Sequence, residues 1–483
     1  MLYPAEFKFK MSMLDSKEIE MIHQASLEIL EKTGVYMPLK KERLEVLKEY
    51  GVTVKEYDKR IYFPPKVVEE AIGKAPKNYT LYARNPEYDL PLDGQHGYLS
   101  LDGCGVHVVD LETGQVRKST REDLARAAKV ADFLPQISFL WPCVSALDCT
   151  PSVQPLYELK TLFENSSKHI QVMTAVDPLN AKGSVEIAAS VAGGKDALRR
   201  RPIISNFQCS VSPLCFEEKS MEAAFIFAEA GVPVGIMTMP MGGATAPVTV
   251  AGNMAVSNAE ILAGITVLEL LYPGTPTFYG SCATMMDLRT AQITCGAPED
   301  FLMQAAICEM AHYYKIPACV GTFATGAKTF NWQSGMENSI SCAVSVWSGA
   351  DMICGAGMLN GATIFSFEQL LMDCEIFEII RRLFSGAEVN AETIGLDVIN
   401  KVGPGNNFLI QKHTMKFARK MWMPSLIQRK SYEEWVRNGK PSPEGLAKEK
   451  VLTILNSHQP IPLNNQEELN EIIDYYEHLS RAI

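Results

Sequence analysis

The chain has no Cys-x-x-Cys pair and no group of cysteines and histidines at zinc-site spacing. Its 12 cysteines are scattered, mostly within apolar runs, as small buried hydrophobes are. Neither a disulfide framework nor a bound metal is expected, and a reducing, cytoplasmic setting is. A basic surface is also lacking. Net charge is -11 and the isoelectric point about 5.4. This argues against nucleic acid as a main partner, because phosphate binding needs clustered Lys and Arg. The first 22 residues have no basic stretch leading into an apolar core, so they do not read as a secretory leader. The longest apolar stretch, 223–256, is broken by Glu229, Pro233, Pro240 and Pro247. It reads as helix, buried strand and loop, not as a membrane span. Low-complexity tracts are absent.

What is present is length and an ordinary apolar fraction. The 483 residues, 47% of them hydrophobic, allow one large domain or two to three smaller ones. Residues 1–96 read as a separate α/β cap. In it, 16–33 has an apolar stripe at helical spacing, with Asp15 or Ser16 as cap. A second helix covers 42–50, a small hairpin 52–63, and Pro64 opens a third helix.

From about Gly97 a regular alternation begins. Apolar runs at 98–109 (read as a hairpin), 137–144, 169–174, 202–209, 232–238, 276–282, 316–323 and 352–355 predict strands. Helical patterns follow at 121–133, 155–165, 180–192, 216–230, 255–271, 298–314, 333–349 and 368–384. Strands buried on both faces, each followed by a helix, predict a parallel sheet. Eight such units over 97–385 predict a closed (β/α)8 TIM barrel. The competing reading, an open doubly wound sheet, lacks the Gly-x-Gly-x-x-Gly expected after its first strand. Ser119 and Glu122 are spaced as a capping box. Residues 386–483 read as a charged helical extension packed on the barrel, broken at Pro460 and Pro462.

Segment 316–373 is the most informative. A buried strand ends in a polar, Gly-rich loop over 322–335; a small-residue helix follows, then a second buried strand. Its own Gly-rich loop carries Phe365, Ser366, Phe367, Glu368 and Gln369. Such strand-end loops are where α/β enzymes place their chemistry.

Four motifs carry a family resemblance: G-T-F-A-T-G-A-K at 321–328, D-M-I-C-G-A-G-M-L at 351–359, F-S-F-E-Q-L-L-M-D at 365–373 and V-G-P-G-N-N-F-L at 402–409. A weaker piece is C-G-A-P-E at 295–299. In order and over nearly the whole chain, they resemble the trimethylamine methyltransferase superfamily. The resemblance implies a (β/α)8 barrel that moves a methyl group from an amine to a corrinoid protein. The founding trimethylamine enzymes carry pyrrolysine near the end of the seventh strand; the matching stretch here, 320–328, holds only ordinary residues. The chain therefore resembles the non-pyrrolysine branch. That implies a quaternary amine as methyl donor, glycine betaine favoured, with proline betaine, carnitine and choline open. The chain has no D-x-H-x-x-G motif for corrinoid binding. The corrinoid (cobalamin) is thus expected on a partner protein, with none bound tightly here. A homo-oligomer is open.

An N-trimethyl group has no N–H to donate, so its recognition falls on aromatic faces and nearby negative charge. Strand ends and their loops offer Tyr98, Trp141, Tyr279, Phe323, Phe330, Trp332, Phe365 and Phe367. Each competes with plain core packing. Glu368 could balance the ammonium or simply favour its helix start. For a betaine carboxylate the candidates are Lys328, Arg289 and His413, with Asn331 and Gln333 as further polar groups. Asp373, His107 and His169 read as structural. No residue is assigned a covalent catalytic role; the expected work is positioning and desolvation. Two other readings compete: a lyase or isomerase on the same barrel, and a non-enzymatic betaine-binding scaffold.

Overall fold

The computed structural model describes residues 1–103, 105–172 and 177–482. Eight parallel strands close into a barrel: β1 His96–Leu101, β2 Ile137–Leu140, β3 His169–Val172, β4 Ile204–Cys209, β5 Val234–Thr238, β6 Tyr279–Ser281, β7 Ala318–Gly321 and β8 Met352–Ala356. They neighbour one another in chain order, and β8 pairs back onto β1 through Met352 and Tyr98. Eight helices cover the outside: α1 Arg121–Phe133, α2 Gln154–Asn165, α3 Pro178–Ala192, α4 Glu218–Glu229, α5 Val250–Leu271, α6 Pro298–Tyr314, α7 Trp332–Trp347 and α8 Phe367–Phe384. The expected TIM barrel is thus present. Residues 173 and 174, the expected end of β3, lie outside the described residues.

Three local expectations are corrected. The run 98–109 is not a hairpin. Its first half is β1, held by parallel neighbours on both sides, which a hairpin partner would exclude. The second half, His107–Val109, leaves the barrel to pair with Val116–Lys118 and Ile364–Phe365. The capping box of α1 uses Thr120 and Asp123, one residue later than read. Ser119 turns away and donates to the Ser145 carbonyl at 2.7 Å. Finally, the first helix is regular only over Ser16–Glu28, with Asp15 and Glu18 capping each other; Ile29–Thr33 widens into a π turn before Gly34.

α5 is the one described helix long and apolar enough to cross a membrane, but it is almost entirely buried under the N-terminal helices. The N-terminal region also closes the bottom of the barrel. A hairpin of Tyr79–Leu81 and Leu90–Leu92 places Leu81, Leu90 and Leu92 against Tyr98, Phe139 and Phe278. Tyr98 donates its hydroxyl to the Pro91 carbonyl at 3.2 Å, and His169 Nδ1 meets the Tyr82 carbonyl at 2.7 Å. In the extension, Pro443–Ser457 packs on α8 and α1, and Gln466–Ala482 on α3. His458 Nε2 meets Asp132 at 2.8 Å, tying the extension to α1.

Candidate active site

Side chains alternate along a strand, so register decides which ones enter the lumen. In parallel pairs, partner residues share a face. Phe139 pairs with His169, Gln171 with Ser205, Cys209 with Met237, Gly280 with Cys319, Gly321 with Cys354, and Met352 with Tyr98. His169 Nε2 bonds Ser205 Oγ at 2.9 Å across that face. The upper lumen, toward the carboxyl ends of the strands, is therefore lined by Trp141, Gln171, Phe207, Cys209, Met237, Cys282, Cys319 and Cys354. Glycine makes room here: a Cβ on Gly280 would sit 3.2 Å from Met237 Sδ, and one on Gly321 would sit 2.7 Å from Cys282 Sγ.

The lumen is aromatic on one side and rich in sulfur on the other. Trp141 stacks on Phe207, with ring centroids 4.8 Å apart and 26° between planes. Cys319 and Cys354 bring their sulfurs to 3.6 Å. Burial, and then the neighbouring Cys354, push the Cys319 thiol well above its usual pKa, so it stays protonated and unreactive. Asp102 follows β1 at this end, its Oδ1 accepting from Gly103 N at 2.6 Å. Burial is the main cause that raises the thiols of Cys143, Cys295 and Cys319; Asp102 adds a smaller push, behind Asp300 for Cys295 and behind Cys354 and Cys282 for Cys319. No group of three or more metal-ligating side chains occurs among the described residues.

The loops after β7 and β8 form the rim. Glu337, buried on α7, accepts from the Thr325 hydroxyl, from Gly326 N at 3.0 Å and from Gln333 Nε2 at 2.9 Å. The two loops are joined directly: Asn360 N donates to Ala327 O at 2.8 Å and Gly361 N to Thr325 O at 2.9 Å. Gly355 has φ +121, and a Cβ there would lie 1.7 Å from the Thr322 carbonyl oxygen. Asp373 holds the β8 loop from below, accepting from Gly357 N at 2.8 Å, Asn338 Nδ2 at 2.8 Å and Gln369 Nε2 at 2.7 Å. Burial raises its pKa to about 7.

The residues singled out from sequence fall into three groups. Phe323, Lys328, Asn331 and Trp332 belong to the β7 loop and the start of α7. Phe323 is buried at φ 53, Lys328 is exposed, Asn331 caps α7, and Trp332 is 78% exposed. Phe365 and Phe367 lie edge to face with centroids 5.1 Å apart, both fully buried, with Arg126 over the Phe367 ring at 5.6 Å. Glu368, also buried, accepts from Ser366 Oγ at 2.9 Å. The third group lies away from the mouth. Tyr98 is at the barrel floor. Tyr279 faces outward, donating to Asn258 at 2.9 Å. Arg289 pairs with Asp287 at 2.9 Å, and His413 in the extension meets the Glu392 carbonyl at 2.9 Å. Of the aromatics read from sequence, Trp141 alone lies in the upper lumen. Gln171, Phe207 and Asp102 were not anticipated. One signal was available for Gln171: it is the polar residue between Ile170 and Val172 in a strand buried throughout.

The fold and its strand-end site define a TIM barrel built to act on a small molecule at its mouth. The family profile described as trimethylamine methyltransferase (MTTB) matches residues 4–479, so the chain belongs to that family and is a methyltransferase. It is similar to the trimethylamine methyltransferase MttB of Desulfitobacterium hafniense (strain DSM 10664 / DCB-2), 34% identical over 94% of this chain and 91% of the relative. It is also similar to the glycine betaine methyltransferase of Desulfitobacterium hafniense (strain Y51), at 32% identity over 89% of each. Among solved structures, the monomethylamine methyltransferase of Methanosarcina barkeri shares the fold, with TM-score 0.51 and 12% identity over 94% of this chain and 96% of that one.

Proposed function

We propose that the chain moves a methyl group from a quaternary amine, glycine betaine favoured, to the Co(I) of a corrinoid protein that docks at the barrel mouth. The observation that carries this reading is the strand-seven stretch 320–328, which holds ordinary residues only. Chemistry must then come without a special electrophile. A quaternary ammonium suits that demand, because loss of one methyl releases a neutral tertiary amine and no general acid is needed. What remains for the protein is to hold one N–CH3 bond toward the acceptor and to replace water around the cation.

The upper lumen supports both tasks. Trp141 and Phe207 offer aromatic surface for the cation, each good face contributing about 0.5–2 kcal/mol. Asp102, buried after β1, is a carboxylate at this end of the barrel. The Cys319 and Cys354 side supplies polarisable, uncharged contact. Similarity alone does not choose the amine, since trimethylamine and glycine betaine relatives match to comparable degrees.

The test is a panel of quaternary amines and trimethylamine, each incubated with the protein and a Co(I) corrinoid protein and read from the visible spectrum of the methylated corrinoid. Methylation is expected with a betaine and not with trimethylamine. Asp102→Asn should raise KM for the betaine at least about thirtyfold, the low end for loss of one desolvated charge partner. Methylation by trimethylamine alone, or by no amine, would sink the reading.

A further inference from the structure

We propose that Trp141 and Gln171 form a carboxylate subsite inside the barrel, holding the anionic end of a zwitterionic amine. This rests on the quaternary-amine reading and assigns the end of the substrate that reading leaves open.

Gln171 is 0% exposed, and neither its Nε2 nor its Oε1 has a hydrogen-bond partner. Trp141 is 4% exposed, and its Nε1 also has none. Buried polar groups are nearly always paired, so neighbouring orphans in one lumen mark a place where something polar binds. Register puts them side by side. Phe139 is paired with His169 and Leu140 with Ile170, so Trp141, one residue past the end of β2, comes level with Gln171 on β3. Both face the lumen, because Gln171 shares its face with Ser205 and Trp141 stacks on Phe207. Two N–H donors on adjacent strands, about 4.8 Å apart at the backbone, can converge on one carboxylate.

Neutral donors suit this ligand better than a cation would. An arginine or lysine buried here would repel the substrate ammonium a few ångströms away, at low dielectric. An indole and an amide hold the carboxylate without that cost. The cationic side chains read from sequence lie elsewhere: Lys328 is exposed, Arg289 is paired with Asp287, and His413 is in the extension. The orientation also fits. A methyl presented at the mouth points the opposite end of the molecule down the barrel, toward these donors. A hydroxyl would accept from these donors as a neutral group; a carboxylate brings two charged oxygens, one for each donor, and the stronger bonds.

The test is calorimetric titration of the full chain with glycine betaine, choline and 3,3-dimethylbutanoate, an uncharged-head isostere of betaine that keeps the carboxylate. The variants are Gln171→Leu and Trp141→Phe, the latter keeping the stack on Phe207 while removing the N–H. Gln171→Glu, nearly the same shape with added charge, serves if Gln171→Leu does not fold. Wild type should bind betaine more tightly than choline. Each variant should shrink that ratio about 10- to 100-fold, the range for losing a hydrogen bond to a charged group, and weaken 3,3-dimethylbutanoate similarly. An unchanged ratio in folded variants overturns the subsite, as does no carboxylate binding to wild type. If 3,3-dimethylbutanoate binds through Gln171 while no amine methylates Co(I), the subsite stands and the quaternary-amine reading falls.

Discussion

Trp141, the residue after β2, and Phe207, on β4, stack at 4.8 Å across the intervening strand β3. The stack backs the indole, whose Nε1 has no hydrogen-bond partner of its own. Phe207→Ala should therefore act twice. Loss of a buried ring costs about 3–5 kcal/mol of stability. Betaine affinity should fall as well, because Trp141 loses its backing. Phe207→Leu separates the two effects: urea denaturation should show a loss of about 1–2 kcal/mol, while calorimetry still shows weakened binding. Unchanged affinity in the leucine variant would mean that the stack is packing alone.

Glu337 serves three donors of the β7 loop and its helix, so Glu337→Gln should loosen that loop without unfolding the barrel. A stability loss of about 1–3 kcal/mol is expected from the misplaced donors. Limited proteolysis should show faster cleavage within 322–335, with far-ultraviolet circular dichroism unchanged. Equal cleavage rates would show that the contacts to Asn360 and Gly361 hold the loop alone.

Asp373 should give the protein a measurable pH dependence. Burial raises its pKa from 3.8 to about 7 in the fold. The folded state therefore binds the proton more tightly than the unfolded chain between those values. The stabilisation is fully present below about pH 4 and is lost as pH rises through about 7. At about 1.4 kcal/mol per unit, the loss reaches roughly 4 kcal/mol. Asp373→Asn should remove it, and the freed amide can donate to Asn338 Oδ1 or Gln369 Oε1, both now without partners. The melting temperature of the variant relative to wild type should rise from pH 5 to pH 8. A constant difference would contradict the assignment. Asp351, raised to about 6 mainly by burial, contributes with the same sign and should persist in the variant.

Lys168 is fully buried and donates to the carbonyls of Ala131, Leu134 and Ile137 at 2.7, 2.8 and 2.6 Å. These close the carboxyl end of α1 and the turn into β2, where a cation is favoured. Burial pulls the other way and lowers its pKa to about 7. Lys168→Met keeps the stem and strands three carbonyls, at about 1–3 kcal/mol each. A loss of at least about 3 kcal/mol in chemical denaturation is expected, with betaine binding of the remaining folded protein unaffected.

The barrel was legible because its strands are buried on both faces. Runs such as Val234–Thr238 and Ala318–Gly321 stand out from their helices without any partner being known. The lumen was harder to read. Which residues face inward depends on closure and register, and a shift of one residue exchanges the faces. Tyr279 and Gly280 show this: the tyrosine, attractive by type, points out to Asn258, while the glycine takes the inner position. Phe365 and Phe367 were singled out by their loop motif, yet the chain folds that loop back so that the rings cover each other. Gln171 carries its own signal, an amide between Ile170 and Val172 in a strand buried throughout.

Among the described residues, the hairpin of Tyr79–Leu81 and Leu90–Leu92 closes the amino end of the lumen, which makes the strand-end mouth the door of the proposed reaction. An acceptor protein seated over that door would also be its bolt. Donor would have to load before the acceptor arrives, and demethylated product would wait until the acceptor departs. Turnover would run as a compulsory queue, and excess acceptor would slow the enzyme by sealing it empty.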